Sequence, residues 1–180
     1  MNTPASPQPK LSLVEAPDDP AARDMFERLS AQKRLLNLHR MMAHAPPLML
    51  ASYDTALTFR NETKLPRLLI ELVILRTAQV ADCTYVWDRY VPPARACGVS
   101  EEQIAEIGRW NDSAAFTPRE KAALGFAEKA AQMAPIDDVS FHDLRKNFSS
   151  REIVEITMLV GFYVSTAILV KALGVPPEIS

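Results

Sequence analysis

The chain has 180 residues and a mass of 20.0 kDa, a length that fits one domain and buries most of the surface an unfolded chain exposes. Apolar residues make up 48% and charged residues 23%, which excludes intrinsic disorder. The 20 basic and 22 acidic residues give a net charge of -2, without the basic surplus that binding to a phosphate backbone requires.

Residues 1–20 hold five of the 14 prolines and lack the basic start and apolar run of a signal peptide. We expect a loose, Pro-rich arm here, followed by a single domain over 21–180 in a cytoplasmic protein. From Ala21 onward the apolar pattern is helical and no segment alternates with period 2, so the expected fold class is all-α, with about seven or eight helices. Helix-favouring stretches cover Ala21–Ala31 and Leu35–Ala43. Pro46 and Pro47 can open the next helix, which should run through Phe59. A further helix should start near Pro66 and carry Leu68, Leu72, Leu75 and Gln79 along one side. Asp82 is placed to cap a helix starting at Cys83, by accepting from first-turn amides. Pro92 and Pro93 should kink that helix or make it restart, because each removes a donor and clashes with a carbonyl one turn back. Gly98 then stops it. Ser100 with Gln103, Thr117 with Glu120 and Ser149 with Glu152 form capping boxes, predicting helices that run to Trp110, to about Met133 and, for the third, from about Ser150 to Leu173. A short helix near Phe141–Asn147 lies between the last two. The final helix contains 15 uncharged residues, Ile156 to Val170. This is short of the ~20 that span a bilayer, so it is expected to be buried at the domain centre or a subunit interface rather than in a membrane.

Chemistry concentrates around Glu71, set in an aliphatic run, and the segment Cys83–Tyr90. Cys83, Trp87 and Tyr90 fall at i, i+4 and i+7, on one helix face. If the preceding helix folds back, Glu71 can approach that face, where desolvation would raise its pKa and suit it to proton transfer. A carboxylate among aliphatics needs a partner or a purpose: Glu71 is either half of an ion pair with Arg67 or Arg76, or a site residue. Cys83 is either an inert buried thiol or a nucleophile, and Trp87 and Tyr90 also read as core aromatics with a polar tip. The two cysteines, Cys83 and Cys97, are too few for a disulfide framework. On a straight helix they stand roughly 20 Å apart at 1.5 Å per residue. His39 and His44, five apart, do not make an i, i+4 metal pair, and His142 stands alone, so no metal site is expected. No glycine-rich phosphate loop or dinucleotide fingerprint occurs, so no nucleotide cofactor is expected either.

Several segments in this order resemble the carboxymuconolactone decarboxylase family, which includes the alkylhydroperoxidase D-like proteins. They are Leu65-Pro-Arg, Glu71-Leu-Val-Ile-Leu-Arg-Thr-Ala, Cys83-Thr-Tyr-Val-Trp-Asp-Arg-Tyr and Ala96-Cys-Gly-Val-Ser-Glu-Glu-Gln-Ile. The ending, with Arg151-Glu-Ile-Val-Glu, Gly161-Phe-Tyr and Ala172-Leu-Gly-Val, is similar to the family's last helix. The likeness covers most of the chain and implies an alkylhydroperoxidase D-like helical fold and a homotrimer or homohexamer. In the peroxidase branch it implies a glutamate at Glu71, a cysteine at Cys83, a second cysteine three residues later and a histidine seven later. Here those last two positions are Val86 and Tyr90, which removes the partner thiol and the base that activates it.

The expectation that follows is a cofactor-free enzyme acting on a small organic acid or lactone by decarboxylation or proton transfer. Glu71, Cys83 and Tyr90 are the catalytic candidates, and Arg76, Tyr85, Trp87, Arg89 and His39 the substrate-binding ones. An arginine would hold carboxylate, Tyr90 would donate to the developing enolate and Glu71 would shuttle the proton. The alternatives are a peroxiredoxin-like thiol oxidoreductase using Cys83 with an external thiol, and a non-catalytic oligomeric binding protein.

Overall fold

A computed structural model describes residues 8–178. The first seven residues of the expected arm lie outside the described residues. Among those described there are nine α-helices, one 3-10 turn and no strand. The helices are α1 (Pro20–Ala31), α2 (Asn37–Met42), α3 (Pro46–Asn61), α4 (Arg67–Val80), α5 (Thr84–Ala96), α6 (Glu101–Glu106), α7 (Pro118–Ala131), α8 (Asp138–Asn147) and α9 (Ser150–Leu173), with the 3-10 turn at Ile107–Arg109. The backbone divides into two compact units, one of residues up to Thr58 together with those from Leu169, the other Phe59–Ile168.

In the first unit Asp19 caps α1 by accepting from the Ala22 amide at 2.9 Å, and Pro20 occupies the first turn, where a missing N–H costs nothing. The helix thereby presents Ala22, Met25, Phe26 and Leu29 to a small core shared with Ala43 and Met49. The described part of the N-terminal arm is tied down. Lys10 N donates to Leu173 O at 2.9 Å, Val14 N donates to Arg40 O at 3.2 Å, and His44 Nε2 bonds Ser12 O at 2.8 Å. Gly174, left-handed at φ 64°, ends α9; a Cβ there would sit 2.5 Å from the Gln8 carbonyl oxygen, so no other residue fits.

The second unit is organised by α4, which packs on α5 and α7, while α7 packs on α8. Its unbroken run from Leu69 to Ala78 is buried on all sides, as expected of a helix without a polar face. Leu72 and Leu75 meet Ala94, Val99, Ile107, Phe116 and Leu124, each buried leucine contributing roughly 1.5–3 kcal/mol relative to exposure. The three capping boxes form: Gln103 N donates to Ser100 Oγ at 3.0 Å, Glu120 N to Thr117 Oγ1 at 3.2 Å and Glu152 N to Ser149 Oγ at 3.3 Å. The helix that begins at Glu101 is shorter than its pattern predicts, because it tightens into the 3-10 turn at Ile107 before Trp110.

Two local expectations are corrected. Asp82 is not the cap of α5: it takes a left-handed turn at φ 49°, and Cys83 occupies the N-cap position without a side-chain cap bond. Pro92 and Pro93 do not restart the helix, since α5 continues through both. The carbonyls they deprive of donors belong to Asp88 and Arg89, both exposed, so water can replace the lost bonds. Within one chain, α9 is buried along one side. Ile156, Leu159, Val160, Tyr163 and Ala167 face inward, whereas Val154, Met158 and Ile168 are 61%, 58% and 63% exposed. By length and composition α9 is also apolar enough to cross a membrane, and a third of its most apolar window is buried within the chain.

Candidate functional site

Glu71 is fully buried in the aliphatic run of α4. A carboxylate there must find its partners nearby, and Arg67, one turn back on the same helix, supplies a guanidinium to Oε1. Oε2 is buried and has no hydrogen-bond partner among the described residues. Burial pushes the Glu71 carboxyl above its ordinary range; Arg67 and then Arg60 pull it back without overcoming burial.

Arg60, in the last turn of α3, donates to the Tyr90 hydroxyl at 3.3 Å, and its guanidinium carbon lies 5.8 Å from the centre of the Tyr90 ring. Burial alone would lower the Arg60 pKa, but Tyr90, Tyr163 and Glu71 together hold it above the ordinary value. Tyr163, on the inner side of α9, places its hydroxyl 2.6 Å from that of Tyr90, and the two rings meet edge to face at 5.1 Å. Burial, followed by the Tyr90 neighbour, pushes the Tyr163 phenol well above its ordinary value. Four helices therefore bring two guanidiniums, two phenols and a carboxyl to one place. Within it Glu71 and Tyr163 are buried, while Arg60, Arg67 and Tyr90 are partly exposed.

The other candidates fall elsewhere. Arg76 is 8% exposed and engaged at both terminal nitrogens, one bonding Glu128 at 2.8 Å and the other donating to the Gln79 side chain, while its buried Nε has no hydrogen-bond partner among the described residues. Glu128 also accepts from the Trp110 indole at 2.8 Å, and although burial alone would raise its pKa, the Trp110 and Arg76 bonds leave it lowered. Arg76 is thus a clamp from α4 to α7. Arg89 points to solvent and Tyr85 is half-buried. Trp87 packs against the core and, with Cys83, Gln79 and Thr84, borders a pocket of about 220 Å3 whose lining does not include Tyr90. Cys83 is 3% exposed, and Cys97, a free thiol at the far end of the same unbroken helix, stays a helix length away. His39 lies in the first unit, where its Nδ1 accepts from the Leu36 amide at 3.1 Å and its ring stands edge-on to Tyr53. Among the described residues no group of three or more His, Cys, Asp and Glu side chains is gathered as a metal would need.

Sequence reasoning missed Arg60 and Tyr163. Tyr163 carried a usable signal: it is the one tyrosine in the uncharged stretch of α9, and a buried phenol needs a hydrogen-bond partner. Nothing in the local sequence marks Arg60.

Residues 47–129 match the model of the Carboxymuconolactone decarboxylase family. The uncharacterized protein YdfG of Bacillus subtilis is 24% identical over 105 residues, 57% of this chain and 71% of that protein. Among solved structures, the Agrobacterium tumefaciens protein ATU0492, whose description refers to the antioxidant defence protein AhpD, superposes with TM-score 0.70 at 25% identity. That match covers 77% of this chain and 96% of its own. A cysteine-to-alanine variant of the debrominase Bmp8 in complex with 2,3,4-tribromopyrrole superposes with TM-score 0.76 over 99% of this chain and 93% of that one; at 19% identity it shows the shared fold. The match of its central helices to the family model and the helical fold it shares with an AhpD-type protein support membership of the carboxymuconolactone decarboxylase/AhpD-like superfamily.

Proposed function

We propose that this protein is a cofactor-free enzyme that moves a proton on a small organic acid or lactone, decarboxylation included, with Glu71 as the proton carrier. The observation that supports this reading is a fully buried carboxyl with one unpartnered oxygen, raised in pKa by burial, among two guanidiniums and two phenols. Such a carboxyl holds its proton closer to neutral pH than an exposed one and can deliver it to carbon. In a decarboxylation, the bond from carbon to the departing carboxylate breaks and its electron pair moves into an enolate. Arg60, which has N–H donors to spare, stabilises the enolate oxygen, Glu71 gives its proton to the carbon, and solvent reprotonates Glu71. The test is a panel of β-keto acids and carboxylated γ-lactones, read by carbon dioxide release and by deuterium incorporation from heavy water. Glu71→Gln should lose about 100-fold or more of the turnover found while Cys83→Ser keeps it; full activity in Glu71→Gln overturns the assignment.

A second reading is thiol redox chemistry at Cys83, favoured by the thiol's place on the wall of the 220 Å3 pocket. Peroxide would oxidise the thiolate to a sulfenic acid, releasing water or an alcohol, and two equivalents of an external thiol would restore it with formation of a disulfide. Peroxide-dependent oxidation of Cys83 seen by mass spectrometry, with turnover that disappears in Cys83→Ser, supports this reading, and an inert thiol removes it. Self-association belongs to the same proposal. The outward Val154, Met158 and Ile168 of α9 would meet further copies of the chain, giving a trimer or hexamer by light scattering that Met158→Glu dissociates.

A further inference from the structure

The partly buried arginines of the second unit differ in one respect. Arg67 has Glu71 and Arg76 has Glu128, but Arg60 has no carboxylate partner within salt-bridge reach among the described residues. Among the described residues its single hydrogen bond goes to the Tyr90 oxygen, which leaves four of the five guanidinium N–H donors without an acceptor there. A half-buried cation in that condition calls for an anion.

The hydroxyls beside it are arranged to the same end. Tyr163 is 3% exposed and Tyr90 is its one hydrogen-bond partner among the described residues. If Tyr163 only accepted, its own O–H would be buried without an acceptor, so it donates to Tyr90. Arg60 can only donate, so the Tyr90 oxygen receives two hydrogen bonds. Its own O–H then has no acceptor within the cluster and is free to donate to a ligand. An open guanidinium edge next to a free phenolic donor matches a carboxylate, one oxygen on each. The charge count agrees: Arg60 and Arg67 against Glu71 leave an excess of +1 with Glu71 ionised and +2 with it neutral.

We infer that Arg60 and Tyr90, with Tyr163 as the positioning residue behind Tyr90, form the seat for the carboxylate of a small organic anion. This rests on the reading of Glu71 above for the identity of the site and names the group by which the substrate is held. The role that sequence reasoning gave to Arg76 or Arg89 thereby passes to Arg60.

The probe is benzoate, with neutral benzamide as its uncharged counterpart, titrated into the full chain by calorimetry at fixed ionic strength. Wild type should bind benzoate at least 10-fold more tightly than benzamide. Arg60→Gln should weaken benzoate about 30-fold, Arg60→Lys less, and Tyr163→Phe a few-fold, while Glu71→Gln should bind it as well as wild type or better, because a competing negative charge is gone. Circular dichroism confirms that each variant is folded, and Arg60→Lys serves if Arg60→Gln is not. Equal binding of benzoate and benzamide, or undiminished binding in both Arg60 variants, overturns the seat without touching Glu71. An active Glu71→Gln protein that still requires Arg60 for benzoate overturns the proton-carrier role and leaves the seat standing.

Discussion

Replacing the two phenols singly and together tests whether the hydrogen bonds of the cluster run as the burial demands. Among the described residues the buried Tyr163 hydroxyl reaches only Tyr90, at 2.6 Å, whereas Tyr90 is partly exposed and also receives Arg60. Tyr90→Phe strands a buried hydroxyl, a loss of about 1–3 kcal/mol. Tyr163→Phe deletes the dependent partner and leaves Tyr90 with Arg60 and water, a loss of about 0.5–1.5 kcal/mol. In the double variant the buried polar atom is gone along with its acceptor, so its loss should be close to that of Tyr163→Phe alone, about 1 kcal/mol, rather than the roughly 3 kcal/mol of additive effects. The coupling is then about 2 kcal/mol, within the range for residues in contact. Urea unfolding followed by far-ultraviolet circular dichroism measures all four corners of the cycle. Additive losses, or a Tyr163→Phe loss exceeding that of Tyr90→Phe, refute the assignment of Tyr163 as donor.

Two further outcomes follow from the same packing. Because burial raises the folded-state pKa of Glu71 above its unfolded value near 4.5, the folded protein holds the proton more tightly, and the stability linked to this group is full at low pH and lost as pH rises through the folded value. Glu71→Gln cannot ionise, so its urea midpoint should match wild type near pH 4 and exceed it above, the gap opening as pH passes through the folded value and then holding; no gap at pH 8, or one that narrows as pH rises, contradicts this. Gly125→Ala would place a Cβ 2.8 Å from the Trp110 ring, which is pinned by its bond to Glu128. About 1–3 kcal/mol of overpacking against about 1 kcal/mol gained in helix propensity predicts a net loss of about 0–2 kcal/mol and altered tryptophan fluorescence, and a clear gain in stability with unchanged fluorescence refutes it.

Local chemistry was legible wherever the signal and the structure are the same few residues. Ser100 and Gln103, Thr117 and Glu120, and Ser149 and Glu152 mark helix starts because the side chains that specify the turn are the ones that satisfy it. Glu71 stood out because a charge inside Leu-Leu-Ile-Glu-Leu-Val-Ile-Leu is costly whatever surrounds it. Asp82 was misread because a good capping residue was assumed to cap, when the left-handed turn it adopts moves the helix start by one position. The cluster was only half readable: Arg60 and Tyr163 arrive from α3 and α9, and which side chains meet is decided by packing between helices far apart in sequence. The pairing of Arg76 was unreadable for the complementary reason, since its partner Glu128 lies on α7 and could not be matched with it in advance.

The two prolines inside α5 have a mechanical consequence. They delete two adjacent rungs of the helical ladder, those to the carbonyls of Asp88 and Arg89, while fixing their own φ angles. The helix continues through that level yet is weakly fastened there, and its two ends can unzip without each other. Amide hydrogen exchange should divide there, with Trp87 and the residues before it opening as one piece and Ala94–Cys97 as another. Tyr90 lies two residues before these prolines, so a phenol of the site is carried on the turn whose helical bonds are missing.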